Sequence, residues 1–220
     1  MNDTSRNTND DFEDFDMFGD FAGEVEVTPE GKALPKMKLY SGGSFDFHNM
    51  RAADFNPIDI AHSLSYLPRF NGHTNVFFSE AQHALLVSDI LPVDLSFNGL
   101  LCNASKAYVG TSPVFRMLEE SMRIRTDVGD AICDAYNLPH MPEQVAAAEN
   151  LATAIEMRDL MGIEAKGIEI PNLPYFQKKL VPMTLEEAKQ KYLERFKGFL
   201  TKDQKLMDEL QRIFDAVWSK

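Results

Sequence analysis

The sequence predicts an all-α protein with a small β element near the N-terminus, preceded by an acidic tail without signals of folded structure. Three observations support this fold class. Apolar residues recur at spacings of three and four along most of the chain, signals for helix starts precede these stretches, and turn-forming residues separate them. An apolar content of 44% is ordinary for a chain that buries a core. No apolar run approaches the ~18 residues that a membrane-spanning helix requires, so no membrane association is expected.

Residues 1–36 form the first predicted unit, an acidic tail in which no helical period is visible. Residues 1–30 carry a net charge of −9, out of −12 for the whole chain. Such a segment buries too little apolar surface to offset the entropy that it loses on ordering, which predicts disorder. Its distinctive feature is an aromatic residue at every third position among the carboxylates, namely Phe12, Phe15, Phe18 and Phe21.

Two interpretations of these aromatic residues stay open. The tail either keeps the protein soluble or is a recognition peptide, whose Phe side chains enter apolar pockets of a partner protein while its carboxylates contact a basic rim. The rest of the chain is close to neutral, which argues against direct binding to nucleic acid, since that requires clustered Lys and Arg. Cys102 and Cys133 form neither a zinc spacing nor a disulfide framework, and no secretion signal begins the chain, so we expect a cytoplasmic protein.

The second predicted unit spans residues 37–162 and begins with a short extended element. Paired glycines and alternating aromatic residues at 39–47 predict a hairpin or an entry strand. Asn56 before Pro57 predicts the cap and the first position of a helix. A second helix is predicted to begin after Ser79, which has the spacing of a capping box with Gln82, and to run to Pro92.

Three further helices are predicted in this unit from the spacing of apolar residues. They span Leu95–Ala107, Phe115–Tyr136 and Pro142–Met161. The last of them ends at Gly162, where a glycine suits the C-terminal cap of a helix.

The third predicted unit, residues 163–220, packs on the second. It begins with a proline-rich irregular stretch and continues with two helices. Thr184 and Glu187 form a capping box for the first helix, which is expected to run through Phe196. The final helix carries Trp218, which we interpret as a packing anchor.

Three motifs in the second unit resemble those of the HD-domain phosphohydrolases. They read D-I-A-H-S-L-S at residues 59–65, R-F-N-G-H-T at residues 69–74 and L-L-C-N-A-S-K-A-Y-V-G-T at residues 100–111. The branch that they resemble most includes phage and bacterial 5'-deoxynucleotidases and a phage dATP triphosphohydrolase. The resemblance implies an HD-domain orthogonal helical bundle, and a phage-encoded protein in the cytoplasm of an infected bacterial host.

The third motif departs from the family at its polar positions. In the family it reads roughly L-L-H-D-A-S-E-A-Y-x-G-D. There the adjacent His and Asp bind a divalent metal ion, and the Glu assists the attacking water. Here Cys102 and Asn103 replace the His and the Asp, Lys106 replaces the Glu, and Thr111 replaces the closing Asp. The resemblance therefore implies a fold that is kept and a reaction that is lost, with no catalytic residue at these four positions.

Two of the family's metal ligands have counterparts that form a remnant site. His83 matches the first ligand, and Glu149 occupies the position of the last ligand, an Asp in the family. A set of His, Cys, Asn and Glu suits Mg²⁺ and Mn²⁺ poorly and is imperfect for Zn²⁺. No cofactor is expected, and the alternative is a weakly held Mn, Mg or Zn ion. Without a metal, Cys102 is a small buried apolar group and His83 a hydrogen-bonded core histidine.

The second motif carries residues that in the family line a nucleotide pocket. Arg69 can offer a bidentate fork to a phosphate group, and His73, Thr74 and Lys106 can donate further hydrogen bonds. The structural alternative is a turn in which Arg69 is tied to a carboxylate such as Asp59.

Together these observations predict a catalytically inactive HD-domain protein that keeps a nucleotide- or phosphate-binding cleft or serves as a protein-interaction module. Two alternatives stay open. One is an active, metal-dependent nucleotide phosphohydrolase with non-standard ligands. The other is a pure protein-binding factor that acts on a host or phage protein through its acidic, Phe-rich tail. The sequence leaves the oligomeric state open, a dimer included.

Overall fold

A two-stranded antiparallel sheet begins the part of the chain that the computed structural model describes, residues 36–111 and 119–218. β1 (Met37–Lys38) pairs with β2 (Ser44–Phe45), so that Met37 lies opposite Phe45. Phe45 is fully buried and attaches the hairpin to the core. The predicted entry hairpin is confirmed. The predicted acidic tail, with its four aromatic residues, lies outside the described residues.

Helices make up most of the remaining described chain, which confirms the all-α class with a small β element. They are α1 (Pro57–Tyr66), α2 (Glu80–Ile90), α3 (Val93–Leu101), α4 (Lys106–Val109), α5 (Glu119–Ala135), α6 (Glu143–Glu156), α7 (Pro174–Gln177), α8 (Leu185–Thr201) and α9 (Gln204–Trp218). Short 3-10 turns at Ala52–Asp54 and Arg69–Gly72 and a π-helical turn at Met157–Met161 connect them. No described helix is both long and apolar enough to cross a membrane.

The local signals for helix starts act as the sequence predicts. The Asn56 side chain accepts a hydrogen bond from the backbone N–H of Ile58 at 2.9 Å, and Pro57 begins α1. Thr184 Oγ1 accepts from the backbone N–H of Glu187, whose carboxylate accepts in return from the backbone N–H of Thr184 at 2.8 Å. Each such cap stabilises its helix by ~1 kcal/mol.

The single helix predicted over Leu95–Ala107 is wrong, because the chain breaks into two helices there. α3 ends at Leu101, residues 102–105 form a turn, and α4 begins at Lys106. The turn presents the buried Asn103 to α6, and the first residue of α4, the buried Lys106, meets α2; buried polar groups require such partners. Apolar residues on both sides keep a helical period, so their spacing gave no sign of the break.

Two other predicted helices differ only in their bounds. The described part of the helix predicted from Phe115 begins at Glu119, and residues 112–118 lie outside the described residues. α8 continues past Phe196 to Thr201, where Lys202 ends it in a left-handed conformation with a φ of 51°.

α2 is buried along nearly its whole length and contributes to two apolar clusters. Leu85 belongs to the first cluster together with buried aromatic residues of α8, among them Tyr192, whose hydroxyl donates to the carbonyl of Leu100 at 2.9 Å. Val87 belongs to the second cluster, which α9 closes. There Trp218 Nε1 donates to the carbonyl of Ile90 at 3.1 Å. Residues after 162 thus pack directly on the preceding helices.

Candidate functional site

A polar cleft opens beside the first turns of α2. Its volume is about 750 Å³, which lies within the ~300–1,000 Å³ of typical small-molecule sites. The cleft is lined by Pro68, Arg69, Phe70, Asn71, His73, Glu80, His83, Lys106, Thr111, Glu149, Asn150, Thr153 and Met161. Segments that are far apart in the sequence therefore bring to one place six of the nine predicted site residues that the structure describes.

The turn that carries the second motif has a strained backbone. Phe70 and Asn71 have φ angles of 51° and 53°, in the left-handed region that non-glycine residues rarely adopt. Residues held in such conformations cost ~1–3 kcal/mol each and persist only where the surroundings hold them. Here the backbone N–H of Arg69 donates to the carbonyl of Phe78 at 2.8 Å, and the Thr111 hydroxyl donates to the Asn71 side chain at 3.4 Å. The turn thus forms one wall of the cleft.

Arg69 lies below this wall and is tied to two carboxylates. Its Nε donates to Glu156 at 2.8 Å, and its Nη1 donates to Glu80 at 3.2 Å. Its Nη2 donates to the hydroxyl of Thr153 at 3.1 Å. The structural alternative named Asp59 as a partner, but Asp59 accepts instead from the backbone N–H and the hydroxyl of Ser41. Arg69 therefore has an internal ion pair and also lines the cleft.

Lys106 completes a buried cluster of charges around Glu80. Its Nζ lies 2.7 Å from Glu80 Oε2, and both side chains are 4% exposed. Burial acts to raise the pKa of Glu80, but Arg69 and Lys106 together hold it below its ordinary value. Burial lowers the pKa of Lys106, which the bond to Glu80 offsets only in part. One carboxylate is thus shared by two cations.

Glu156 links this cluster to His83. The Glu156 side chain is fully buried, and its Oε1 lies 2.7 Å from His83 Nδ1. Burial acts to lower the pKa of His83, but the adjacent Glu156 raises it above its ordinary value. His83 Nε2 is buried without a hydrogen-bond partner among the described residues, and its distance of 3.8 Å from Glu149 is too long for a hydrogen bond.

The substituted pair Cys102 and Asn103 lies next to Glu149. Asn103 Nδ2 donates to Glu149 Oε1 at 2.7 Å, and Arg125 Nη2 donates to Asn103 Oδ1 at 3.3 Å. Burial raises the pKa of the Cys102 thiol well above its ordinary value, and Glu149 adds to this effect. The amide of Asn103 thus bonds the carboxylate of Glu149, and the surroundings of Cys102 disfavour its thiolate form.

These residues do not fit a hard divalent metal ion. The ligand atoms of His83, Cys102 and Glu149 lie within 4.8 Å of one another, and the unpartnered His83 Nε2 is an atom that a metal ion would satisfy. However, Mg²⁺ and Mn²⁺ require several charged oxygens, and in this trio Glu149 alone provides them. Its carboxylate is already bonded to Asn103. For a softer ion such as Zn²⁺ the set offers three side chains, and the thiol of Cys102 would have to release its proton on binding.

The other predicted site residues lie at the edge of the cleft or outside it. His73 is exposed at the mouth, and Thr111 lines the side. Thr74 does not line the cleft, and its hydroxyl donates to the carbonyl of Val76 at 2.6 Å. The predicted partner-binding residues of the tail, Phe12, Phe15, Phe18 and Phe21, lie outside the described residues.

Sequence reasoning missed the two carboxylates that organise the site. Glu80 is the first residue of α2 and Glu156 the last residue of α6, and both are buried acidic residues on helices that are largely buried. Because a carboxylate is rarely buried unless it is paired, an acidic residue within a buried helical stretch was the signal that could have identified them.

Comparison with known proteins identifies a relative in Escherichia coli. No protein-family model matches the chain, so the resemblance to HD-domain phosphohydrolases rests on its motifs. The chain is 32% identical over 168 residues to the uncharacterized protein YfdR of Escherichia coli (strain K12). The matched region covers 73% of this chain and 93% of YfdR.

Proposed function

We propose that this chain, which belongs to the same protein family as Escherichia coli YfdR, is a non-hydrolysing HD-like protein whose cleft binds a phosphorylated molecule the size of a nucleotide. In this proposal, the buried side chains that surround the cleft bind the anion directly and no metal ion takes part.

The ion pair between Lys106 and Glu80 is the observation that supports the proposal most. Lys106 Nζ lies 2.7 Å from Glu80, which also accepts from Arg69. In the family that the sequence resembles, a carboxylate stands at the position of Lys106. A buried ammonium at this place disfavours a divalent cation and offers N–H donors to an anion, while its pairing with Glu80 neutralises most of its net charge.

The cleft keeps hydrogen-bond donors for a phosphate group. An ammonium has three N–H donors, and the described residues occupy one of those of Lys106. His73 adds a ring nitrogen at the mouth. Glu80 and Glu156 balance the charges of Arg69 and Lys106, and Glu149 adds a further carboxylate to the lining, so the affinity for phosphate alone is expected to be low. A bound nucleotide would gain the remainder from contact with the apolar side chains of the lining.

Thermal unfolding of the full-length protein tests the proposal directly. The ligands are deoxynucleoside and ribonucleoside mono- and triphosphates and inorganic phosphate, each with EDTA and again with Mn²⁺. A ligand at a concentration of 100 times its Kd stabilises a fold by ~2.7 kcal/mol, which in a chain of this size raises the Tm by ~5–11 °C. We expect this shift to persist in EDTA and no phosphate to be released.

A histidine variant and its control place the binding in the cleft. His73→Ala removes an exposed donor at the mouth and should reduce the shift, whereas His140→Ala removes an exposed histidine outside the cleft and should leave it unchanged. An unchanged Tm with every ligand would contradict nucleotide binding. If the protein releases phosphate from a nucleotide and His83→Ala abolishes that release, the proposed absence of hydrolysis is contradicted.

A second candidate is an active, metal-dependent phosphohydrolase with non-standard ligands. It is favoured by one observation, the unpartnered His83 Nε2 beside Cys102 and Glu149. Metal analysis of the purified protein, followed by titration with Co²⁺, separates the two candidates. A bound Co²⁺ with a thiolate charge-transfer band that disappears in Cys102→Ser would favour this candidate. Metal-free protein without such a band would exclude it.

A further inference from the structure

A second pocket lies between α2 and the segment from Lys178 to Met183, and it shares no lining residue with the cleft. Its volume is about 240 Å³. An apolar cavity of ~150 Å³ holds a benzene molecule, so this pocket accommodates one phenylalanine ring. Its walls are mainly apolar and include Leu85, Phe176 and Leu180. Val181, at its edge, is 80% exposed.

The rim of this pocket is basic, although the chain as a whole carries a charge of −12. Lys178 and Lys179 line it, and both are exposed. Arg158 lies close to the pocket without lining it, since its guanidinium donates to the carbonyl of Phe176 at 2.7 Å. The nearby carboxylate of Asp159 is already bonded to Arg158 and Lys179. Asp89, on the wall, is paired with Arg195. The rim therefore attracts an acidic ligand.

We propose that this pocket is the docking site of the chain's own acidic segment, residues 10–21. One of its four phenylalanine rings enters the pocket, and neighbouring carboxylates contact Lys178 and Lys179. The apolar pocket suits an aromatic ring and the basic rim suits carboxylates. The segment offers both, because it has an aromatic ring at every third position and acidic residues between them. This inference is independent of the function proposed for the cleft.

The connection is long enough for the segment to reach the pocket of its own chain. The Tyr40 ring lies 5.7 Å from Lys189 Nζ, in the second turn of α8. α8 begins directly after the segment that borders the pocket, and its first five residues rise only ~8 Å. The residues from Phe21 to Lys36 span up to ~50 Å when extended. Docking within one molecule therefore needs no distortion of the hairpin.

Hydrogen–deuterium exchange of the full-length protein tests the docking from both sides of the contact. In Phe12→Ser/Phe15→Ser/Phe18→Ser/Phe21→Ser, the backbone amides of residues 175–181 should exchange about tenfold faster than in the unaltered protein. This is the change expected when a docked state populated ~90% of the time is lost. Trp218 offers a second readout. Its ring packs against Phe176 at 5.7 Å, so its fluorescence should change in the same variant.

Variants of the pocket and a matched control complete the test. Lys178→Glu/Val181→Asp reverses a rim charge and makes the exposed edge polar, so the amides of residues 10–21 should exchange faster. Lys197→Glu/Leu200→Asp makes the same changes at exposed positions of α8 and should have no effect. If the segment docks on its own chain, the slow exchange of residues 10–21 and 175–181 should not depend on protein concentration. It should also be less slow at high salt, because salt screens the charges of the rim.

Two results would overturn the inference. The first is equal exchange of residues 175–181 in the unaltered protein and in the phenylalanine variant. The second is protection that increases with protein concentration, because the segment would then dock on a second copy of the chain.

Discussion

Glu156 is expected to be the most costly single charge to remove from the cleft. Its fully buried carboxylate lies 2.8 Å from Arg69 Nε and 2.7 Å from His83 Nδ1. Glu156→Gln keeps the size of the side chain but removes its charge, so Arg69 keeps only Glu80 as an ionic partner. Removal of one partner from a buried ion pair costs ~3–5 kcal/mol. Because Arg69 keeps Glu80, we expect a loss at the lower end, about 3 kcal/mol of the free energy of unfolding.

Chemical and thermal unfolding at pH 7, followed by circular dichroism, measure this loss. A destabilisation of ~3 kcal/mol lowers the Tm of a chain of this size by ~6–12 °C. The matched control is Glu186→Gln, which removes a carboxylate that is 73% exposed and bonded to Lys189. Exposed pairs contribute ~0–1 kcal/mol, so its effect should be small. Equal losses in the two variants would refute the view that the cleft depends on its buried charges.

Four further substitutions test other parts of the fold. Gly99→Ala should destabilise by ~1–3 kcal/mol, because its Cβ would lie 2.6 Å from a leucine side chain and 3.1 Å from the backbone of α2. In Gly129→Ala the added Cβ has no described atom within 4 Å, so the substitution should stabilise α5 by ~0.5–1 kcal/mol. Urea unfolding of the two glycine variants measures whether the free energy of unfolding falls in the first and rises in the second. Tyr192→Phe should cost ~1–2 kcal/mol, since the buried carbonyl of Leu100 loses its donor; unchanged stability would contradict this. Burial acts to raise the pKa of Asp159, but two basic side chains and a backbone N–H hold it below 3.8. Its contribution is therefore present above pH 3.8 and lost as the pH falls through the lower pKa, so the stability difference from Asp159→Asn should shrink on acidification and persist at pH 7.

Local signals in the sequence were sufficient to predict most of the helices. Asn56 with Pro57, and Thr184 with Glu187, act through hydrogen bonds to residues at most three positions away, so the sequence contains the whole interaction. Several motif positions, Arg69 and His83 among them, line the cleft, whereas Thr74 does not.

The pairing inside the cleft could not be predicted in the same way. Arg69 meets Glu156 across 87 positions of the sequence, and Lys106 meets Glu80 across 26. Which carboxylate neutralises which cation depends on how α2, α4 and α6 pack. The break after Leu101 could not be predicted for the same reason, because it allows Asn103 to bond Glu149, which lies 46 positions away in the sequence.

The shared carboxylate of Glu80 also constrains how this protein family can diverge. A charge reversal at position 106 alone would place two carboxylates together in a buried site, and a buried ion left without a partner costs ~3–5 kcal/mol. That is a large part of the ~5–15 kcal/mol that stabilises a typical fold. Positions 80 and 106 are therefore expected to change together, so a relative with an acidic residue at 106 should lack the acidic residue at 80 or hold a cation between them. A comparison of related sequences at these two positions would reveal the coupling as covariation.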